Sequence, residues 1–338
     1  MDLVDVFPET PFVPSLPYAT AAQLPVTVPW GGKALRMGTP LIVRSQPQDT
    51  QFLEDRCAFS SESLRKTSLI FRHVSRGMIA ETNTRTAAAS HEHTSFSLQA
   101  QIGGSVIGVS GRGNYEARAA TNQDTLNASV RTEYQTGWIG FVSPPRLSPL
   151  ALELLHMRDD PHTAFRERFG DYYVGAYLLG GTNAQLVSSN DIAASASKDL
   201  SGKGQVRFLG FVKEKKFEEH EKAEASFGNM RLTAYDSLEA WECDHQVHGD
   251  VRLIHQVADE NERRCRSLID RVNGKVEMLQ LQDGAVVPGE LCEDICRAHL
   301  VVQILLLPYA KLREYAVAIR ADRPDAADSA VRMAASKD

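Results

Sequence analysis

The chain has 338 residues, of which 43% are hydrophobic and 24% charged, and its formal net charge is −6. At this length it can bury a sizeable core, as one large β-rich domain or two smaller ones. The acidic balance excludes nucleic acid as the main partner, because phosphate binding draws on clustered Lys and Arg, and it gives no overall attraction to anionic lipid.

Residues 1–50 are proline-rich, in "PETPFVPSLP" and "VPWGGKALRMGTPLIV". Each proline restricts its predecessor to extended backbone, so this segment is expected as an extended arm draped over the body, with a short strand near residues 40–44. Residues 51–320 are expected to form a single domain, and 321–338 a flexible tail. The N-terminus has no basic stretch ahead of an apolar one. The longest apolar run, 300–310, falls short of the ~20 residues that a membrane-spanning helix needs. The expectation is a cytoplasmic, non-spanning protein. Its five cysteines, Cys57, Cys243, Cys265, Cys292 and Cys296, suit reduced thiols better than a disulfide framework.

Residues 66–80 and 94–110 read as strands. In the second, Phe96, Leu98, Ala100 and Ile102 alternate with Ser95, Ser97, Gln99 and Gln101, the period of a half-buried strand. "NASVRTEYQTGWIGFV" gives another long strand, with Trp138, Ile139 and Phe141 at its end. Ser148 then Pro149, and Asp160 then Pro161, are cap-and-proline helix starts. Phe165 and Phe169 share a face of the second helix, and Gly170 ends it, predicted as a left-handed cap.

From Asp171 the period returns to two and runs to Gly180-Gly181, where missing side chains let backbone bend or approach a neighbour. Residues 213–225 read as a charged helix with a solvated face. Residues 230–243 read as one alternating strand. A helix after Asp259 carries Cys265, Leu268, Ile269 and Val272 and closes at Asn273-Gly274. "KVEMLQL" reads as a short strand before an Asp283-Gly284 turn. Residues 290–307 read as an apolar-faced helix ended or kinked by Pro308, followed by a last helix to about Arg320.

Candidate chemistry is sparse. Cys243, His245, His248 and His255 lie close in sequence, but zinc needs converging ligands at a recurring spacing; polar histidines on a hairpin are the plainer reading. His91 with His93, and Cys292 and Cys296 with His299, are read the same way, the latter as core packing. No phosphate loop or nucleophile elbow is present. No catalytic residue, cofactor or metal site is assigned. Asp171, at a helix C-terminus, is expected to cap a turn or pair with a nearby Arg or Lys.

The order of long alternating strands, a helix, Phe169-Gly170-Asp171-Tyr172-Tyr173 and then Gly180-Gly181 resembles the membrane-attack-complex/perforin (MACPF) family. That family has an aromatic-Gly-Thr-His-aromatic segment, a spacer and a Gly-Gly pair; Asp171 and Tyr172 stand here in place of Thr-His. The segment is similar to short fungal perforin-like proteins with an aromatic-Gly-Asp-Tyr-aromatic version, as are residues 103–115 and "SPLALELL". The resemblance covers about residues 90–245. It implies an α+β fold with a bent, twisted antiparallel sheet of long strands flanked by helices. Phe169, Gly170, Asp171, Tyr172, Tyr173, Gly180 and Gly181 are then structural residues, with the glycines where the sheet bends.

Lytic members of that family carry two helix clusters that refold into membrane-spanning hairpins, each strand needing ~10 alternating residues. The segment between the long strands, read as 110–126, is short, and the helix at 213–225 is charged on both faces. The expected function is therefore membrane or protein interaction without pore-piercing lysis, with oligomerisation through edge strands. An alternative is a cofactor-independent cyclase, pericyclase or isomerase acting on a small apolar molecule in fungal secondary metabolism, since such a site needs mainly a shaped apolar pocket. A second alternative is a non-enzymatic scaffold.

Overall fold

The computed structural model describes residues 16–30, 35–45, 49–84, 101–102, 105–106, 126–157, 159–189, 229–248 and 252–321. Their elements in chain order are α1 (Leu16–Ala21), β1 (Val26–Pro29), β2 (Pro40–Ile42), β3 (Gln51–Phe52), α2 (Ser61–Lys66), β4 (Leu69–Thr84), β5 (Gln101–Ile102), β6 (Ser105–Val106) and β7 (Leu126–Phe141). There follow α3 (Pro149–Leu155), α4 (Pro161–Phe169), β8 (Tyr172–Ser189), β9 (Asn229–Asp236), β10 (Trp241–His248), α5 (Arg252–Arg266), α6 (Leu268–Met278), β11 (Val286–Val287), α7 (Leu291–Arg297), β12 (Val301–Pro308) and α8 (Arg313–Ala321).

The fold is α+β: a bent antiparallel sheet of long strands with helices packed around it. β4 and β7 have 16 residues each and β8 has 18. They lie side by side with β7 in the middle, antiparallel throughout. The partner of β8 on its other side changes along its length. Tyr172 to Leu179 pair with β12, whereas Asn183 to Ser189 pair with β9. The sheet therefore forks at Gly180-Gly181. In its proximal half the order is β1-β12-β8-β7-β4-β11; in its distal half it is β10-β9-β8-β7-β4.

The bend has a register-level cause. His73, Gly137 and Leu179 form one row across β4, β7 and β8, and Arg76, Gln135 and Gly180 form the next. Between those rows β4 has Val74 and Ser75, β7 has Thr136, and β8 has no residue at all. Extra residues on successive strands make the strip fan and curve, as bulges do.

The segment read as an arm contributes α1, β1 along β12, and β2 along the start of β8. Leu16, Ala19, Val26, Val28, Leu35 and Leu41 are buried there. The helices at Ser148 and Asp160 start as the caps dictate: each side chain accepts a backbone N–H three residues on, from Ala151 and Thr163. Apolar packing forms two large clusters, the first of which continues past the fork to Leu238, Leu268 and Val272. The first holds Tyr172, Val174, Tyr177, Leu179, Ile304 and Leu306; the second gathers Phe59, Phe165, Phe169, Tyr173, Tyr309 and Tyr315.

Four sequence-based expectations are corrected. Residues 301–308 are a strand at the heart of the sheet, not part of a helix spanning 290–307; only 291–297 are helical. Leu305 and Leu307 on the half-buried face are as apolar as Ile304 and Leu306 on the buried one, so the run shows no period of two. Asn273-Gly274 does not end a helix, and "KVEM" is helical, because Gly274 sits on an open face of α6 where it costs only propensity. Residues 230–243 are not one strand: the chain turns between β9 and β10, with Ala240 at φ 48°. Gly170 is no left-handed cap, for its φ of 79° goes with an extended ψ of −172°. The predicted strand at 94–110 falls mostly outside the described residues, as do His91, His93, the charged helix at 213–225 and the tail after 321.

Candidate functional site

The seven signature residues occupy two places about one strand length apart. Phe169 to Tyr173 hold the helix-to-strand entry of β8; Gly180 and Gly181 stand at the fork.

At the entry, α4 runs into Gly170, whose missing Cβ would lie 2.4 Å from the Leu41 carbonyl oxygen. Positive φ and that close approach both demand glycine. The Asp171 carboxylate then accepts two bonds at 2.8 Å, from the Val43 N–H and from Arg166 Nε. Arg166 also donates to the Val43 carbonyl. The expected pairing of Asp171 with a nearby cation is thus met by Arg166, five residues back on α4. The Asp171 backbone adds bonds to Leu41 and Tyr309. One residue thereby ties together β2, α4, β8 and the turn after β12. Phe169 and Tyr173 are buried. The Tyr173 ring lies 4.9 Å from Phe59 and 5.0 Å from Tyr309, and burial pushes its hydroxyl up to about 12.

At the fork, an added Cβ on Gly180 would lie 2.0 Å from the Tyr134 carbonyl oxygen, whereas one on Gly181 would meet the side-chain tips of Leu268 and Val272 and the Cγ of Leu238 at 2.8 to 3.1 Å. Gly180 lets two backbones close up where β7 bulges. Gly181 lets α6 lie flush on the sheet. The Gly180 N–H donates to the Leu300 carbonyl at 2.8 Å, and Ser237 accepts from the Thr182 N–H and donates its own to the Thr182 carbonyl. Within three residues β8 exchanges one neighbour for another with its hydrogen bonds kept.

Above the fork lies a feature that no single segment of sequence announces. Thr132, Asn183 and Asp236 stand directly opposite one another on β7, β8 and β9, and all three are buried. Asn261 of α5 is fully buried over this row. It accepts from Asn183 at 2.9 Å and donates to Gln185 at 3.2 Å. Asn183 Nδ2 also donates to Asp236 at 3.0 Å, and the Cys265 thiol to Asn183 Oδ1 at 2.6 Å. Arg271 of α6 reaches Asp236 at 2.6 Å and Glu239 at 3.0 Å. Arg264 binds Glu239 as well and stacks 4.5 Å over the Trp241 ring. Lys275 donates to the Leu238 and Ala298 carbonyls. Burial pushes its ammonium down and the Cys265 thiol up to about 11.

Sequence reasoning missed this row and also Gly137, whose Cβ would lie 2.3 Å from the Arg72 carbonyl oxygen. An isolated glycine within "QTGWIGF" was the available signal for a close backbone approach. Cys243 is buried on β10 while His245 is exposed, so the two do not converge. Among the described residues no three His, Cys, Asp or Glu side chains are grouped as metal ligands would be, all five cysteines are free, and no helix is long and apolar enough to cross a membrane.

The geometry defines a class: an α+β protein whose long-stranded antiparallel sheet forks at a glycine pair under a two-helix cover. No family model matches the chain, and no curated protein does. Solved structures do. GNIP1Aa from Chromobacterium piscinae matches at 15% identity and a TM-score of 0.31, covering 90% of this chain and 57% of that one. A cell invasion protein with a MAC/Perforin domain from Bacteroides thetaiotaomicron matches at 10% identity and a TM-score of 0.28, covering 65% and 51%. Non-hemolytic pneumolysin from Streptococcus pneumoniae matches at 8% identity and a TM-score of 0.37, covering 84% and 60%. The chain thus spans less than two thirds of each of these proteins. The second carries a domain of the family that the window at 169–181 resembles. At such TM-scores the matches carry no weight of their own, and the class rests on strand order and register.

Proposed function

We propose that the chain is a MACPF-like protein that assembles with copies of itself at a membrane or protein surface and does not release vesicle contents. One observation carries this reading. β4, β7, β8 and β9 end together, with Thr84 opposite Asn127, Leu126 opposite Ser189 and Ser189 opposite Met230. Both long connections, residues 85–125 and 190–228, therefore leave the sheet at the same end. The first is longer than the segment 110–126 allotted to it by sequence, because the strand before it is β4. A pair of segments delivered side by side from one rigid sheet can meet a flat target together.

Their sequences differ in what they can do there. Residues 95–102 alternate apolar and polar, the pattern of a barrel strand. The second connection carries Lys213, Glu214, Lys215, Lys216, Glu218 and Glu219. A barrel wall would set some of these toward lipid, where each Lys costs about 2–4 kcal/mol at mid-depth and each Glu somewhat less. Assembly has available edges. Among the described residues the outer edge of β4 has no partner strand beyond Phe71, and β10 has β9 as its one partner strand. Open edges invite strand addition.

The test is co-sedimentation and dye release with vesicles of neutral and of mixed anionic lipid, with sizing of detergent-extracted protein. Vesicle-bound oligomers without dye release are expected. Dye release at matching protein levels overturns the non-lytic part, and monomer that binds no vesicle and no second copy overturns the reading.

A further inference from the structure

We propose that the first connection, residues 85–125, turns back at the distal margin and docks an amphipathic hairpin, with β5 and β6 at its tip, on the face of the sheet away from α5 and α6. This holds whether or not the chain binds a membrane. Side chains alternate along a strand, so Asn183 and Gln185, which meet Asn261 of α5, leave Ala184 and Leu186 on the opposite face. Arg131, Thr233 and Tyr235 share that face through the register of β7, β8 and β9. All five are at most 7% exposed. Ala184, Leu186 and Tyr235 form an apolar cluster of their own. One face of an open sheet reaches such burial only under a second layer, and α5 and α6 lie on the other side.

β5 and β6 form a two-stranded sheet of their own, with Ile102 opposite Ser105 and Gln101 opposite Val106. An isolated pair of strands is marginal in water and needs a surface to pack on. Counted by twos from that register, Phe96, Leu98 and Ala100 fall on the side of Ile102, and so do Ile107 and Val109. The other side carries Ser95, Ser97, Gln99, Gln101 and Ser110 beside Val106. From Thr94 to Gly111 the sequence has no charged residue. Arg131 is already paired with Glu133, so a cover without charge suffices there. The second connection carries Asp191, Lys198, Asp199, Lys203 and Arg207 before its run of Lys and Glu, and suits that surface less. Ala184 lies about 17 Å from the margin at Ser189, and residues 85–93 can span about 30 Å. Held on the chain's own sheet, the apolar face of the hairpin is hidden from lipid as well as from water.

Thr233→Cys places a reporter thiol on the covered face, where the hydroxyl it replaces reaches Asp244 only at 3.5 Å. Its alkylation rate is read by peptide mass spectrometry, with Cys292 of the main core as the check on folding. Replacing residues 95–110 by Gly-Ser repeats of equal length should raise the rate at position 233 about tenfold or more and leave Cys292 within about twofold. The same replacement over residues 195–225 should leave position 233 within about twofold. No rise at 233 in the first variant, or a greater rise in the second, overturns the proposal. A measurement on the chain at full length is independent of how the replaced chains fold. Ile107→p-benzoylphenylalanine is irradiated and its cross-links are mapped. Links to residues 182–188 or 231–235 are expected; links elsewhere only, or none, overturn the proposal.

Discussion

Gly180→Ala is expected to lower the stability of the chain by about 3 kcal/mol or more, and Gly181→Ala by about 1 kcal/mol or less. The two glycines are neighbours of identical composition, so the contrast isolates what each one faces. An alanine methyl at 180 would stand 2.0 Å from the Tyr134 carbonyl oxygen and 3.0 Å from the Gln135 Cα. Backbone atoms in a paired strand can retreat only by breaking ladder bonds. At 181 the obstacles are side chains of Leu268, Val272 and Leu238, which can move by tenths of an ångström, and alanine regains part of the loss by restricting the unfolded chain. Urea midpoints at unchanged slope measure both values. Similar losses at the two positions would mean that β7 and β8 do not approach at Gly180.

The second large effect is at Asp171. Asp171→Ala removes the acceptor of the Val43 N–H and of Arg166 Nε at once. The Asp171 side chain is 12% exposed, and water reaches the severed Val43 donor poorly. A loss of about 2–3 kcal/mol is expected. Asp171→Asn keeps one acceptor oxygen but turns an amide N–H toward one of two donors, so about half of that loss remains. The Arg166→Ala variant should lose less than Asp171→Ala, since Arg166 is itself 38% exposed and the Asp171 carboxylate keeps its bond from the Val43 N–H. Denaturant midpoints of the three variants order them. Asp171→Ala behaving like the parent chain would show that the carboxylate does not hold β2 to the entry of β8.

These residues also show how far sequence reaches. The helices at Pro149 and Pro161 were legible because a capping side chain and a proline act within four residues and need no tertiary partner. Gly180-Gly181 was legible as a place of bending, but not the cause, which lies in β4 and β7 as much as in β8. β12 was misread because Leu305 and Leu307 on its half-buried face are as apolar as Ile304 and Leu306 on its buried face, so the sequence shows neither alternation nor helical period. The polar row was illegible in principle. Thr132, Asn183 and Asp236 are unremarked polar residues in three separate segments, and only pairing register sets them side by side. Asn261 of α5 reads as one more polar position until it is seen fully buried above them.

Cross-linking between engineered cysteine pairs tests the fork directly. A short thiol-reactive linker applied to folded protein should join Ser188→Cys to Arg231→Cys and Leu178→Cys to Gln303→Cys, which are directly opposite partners. It should fail to join Ser188→Cys to Gln303→Cys. Efficient bridging of that last pair, with none between 188 and 231, would mean that β8 keeps one neighbour along its whole length and that the sheet does not divide at Gly180-Gly181.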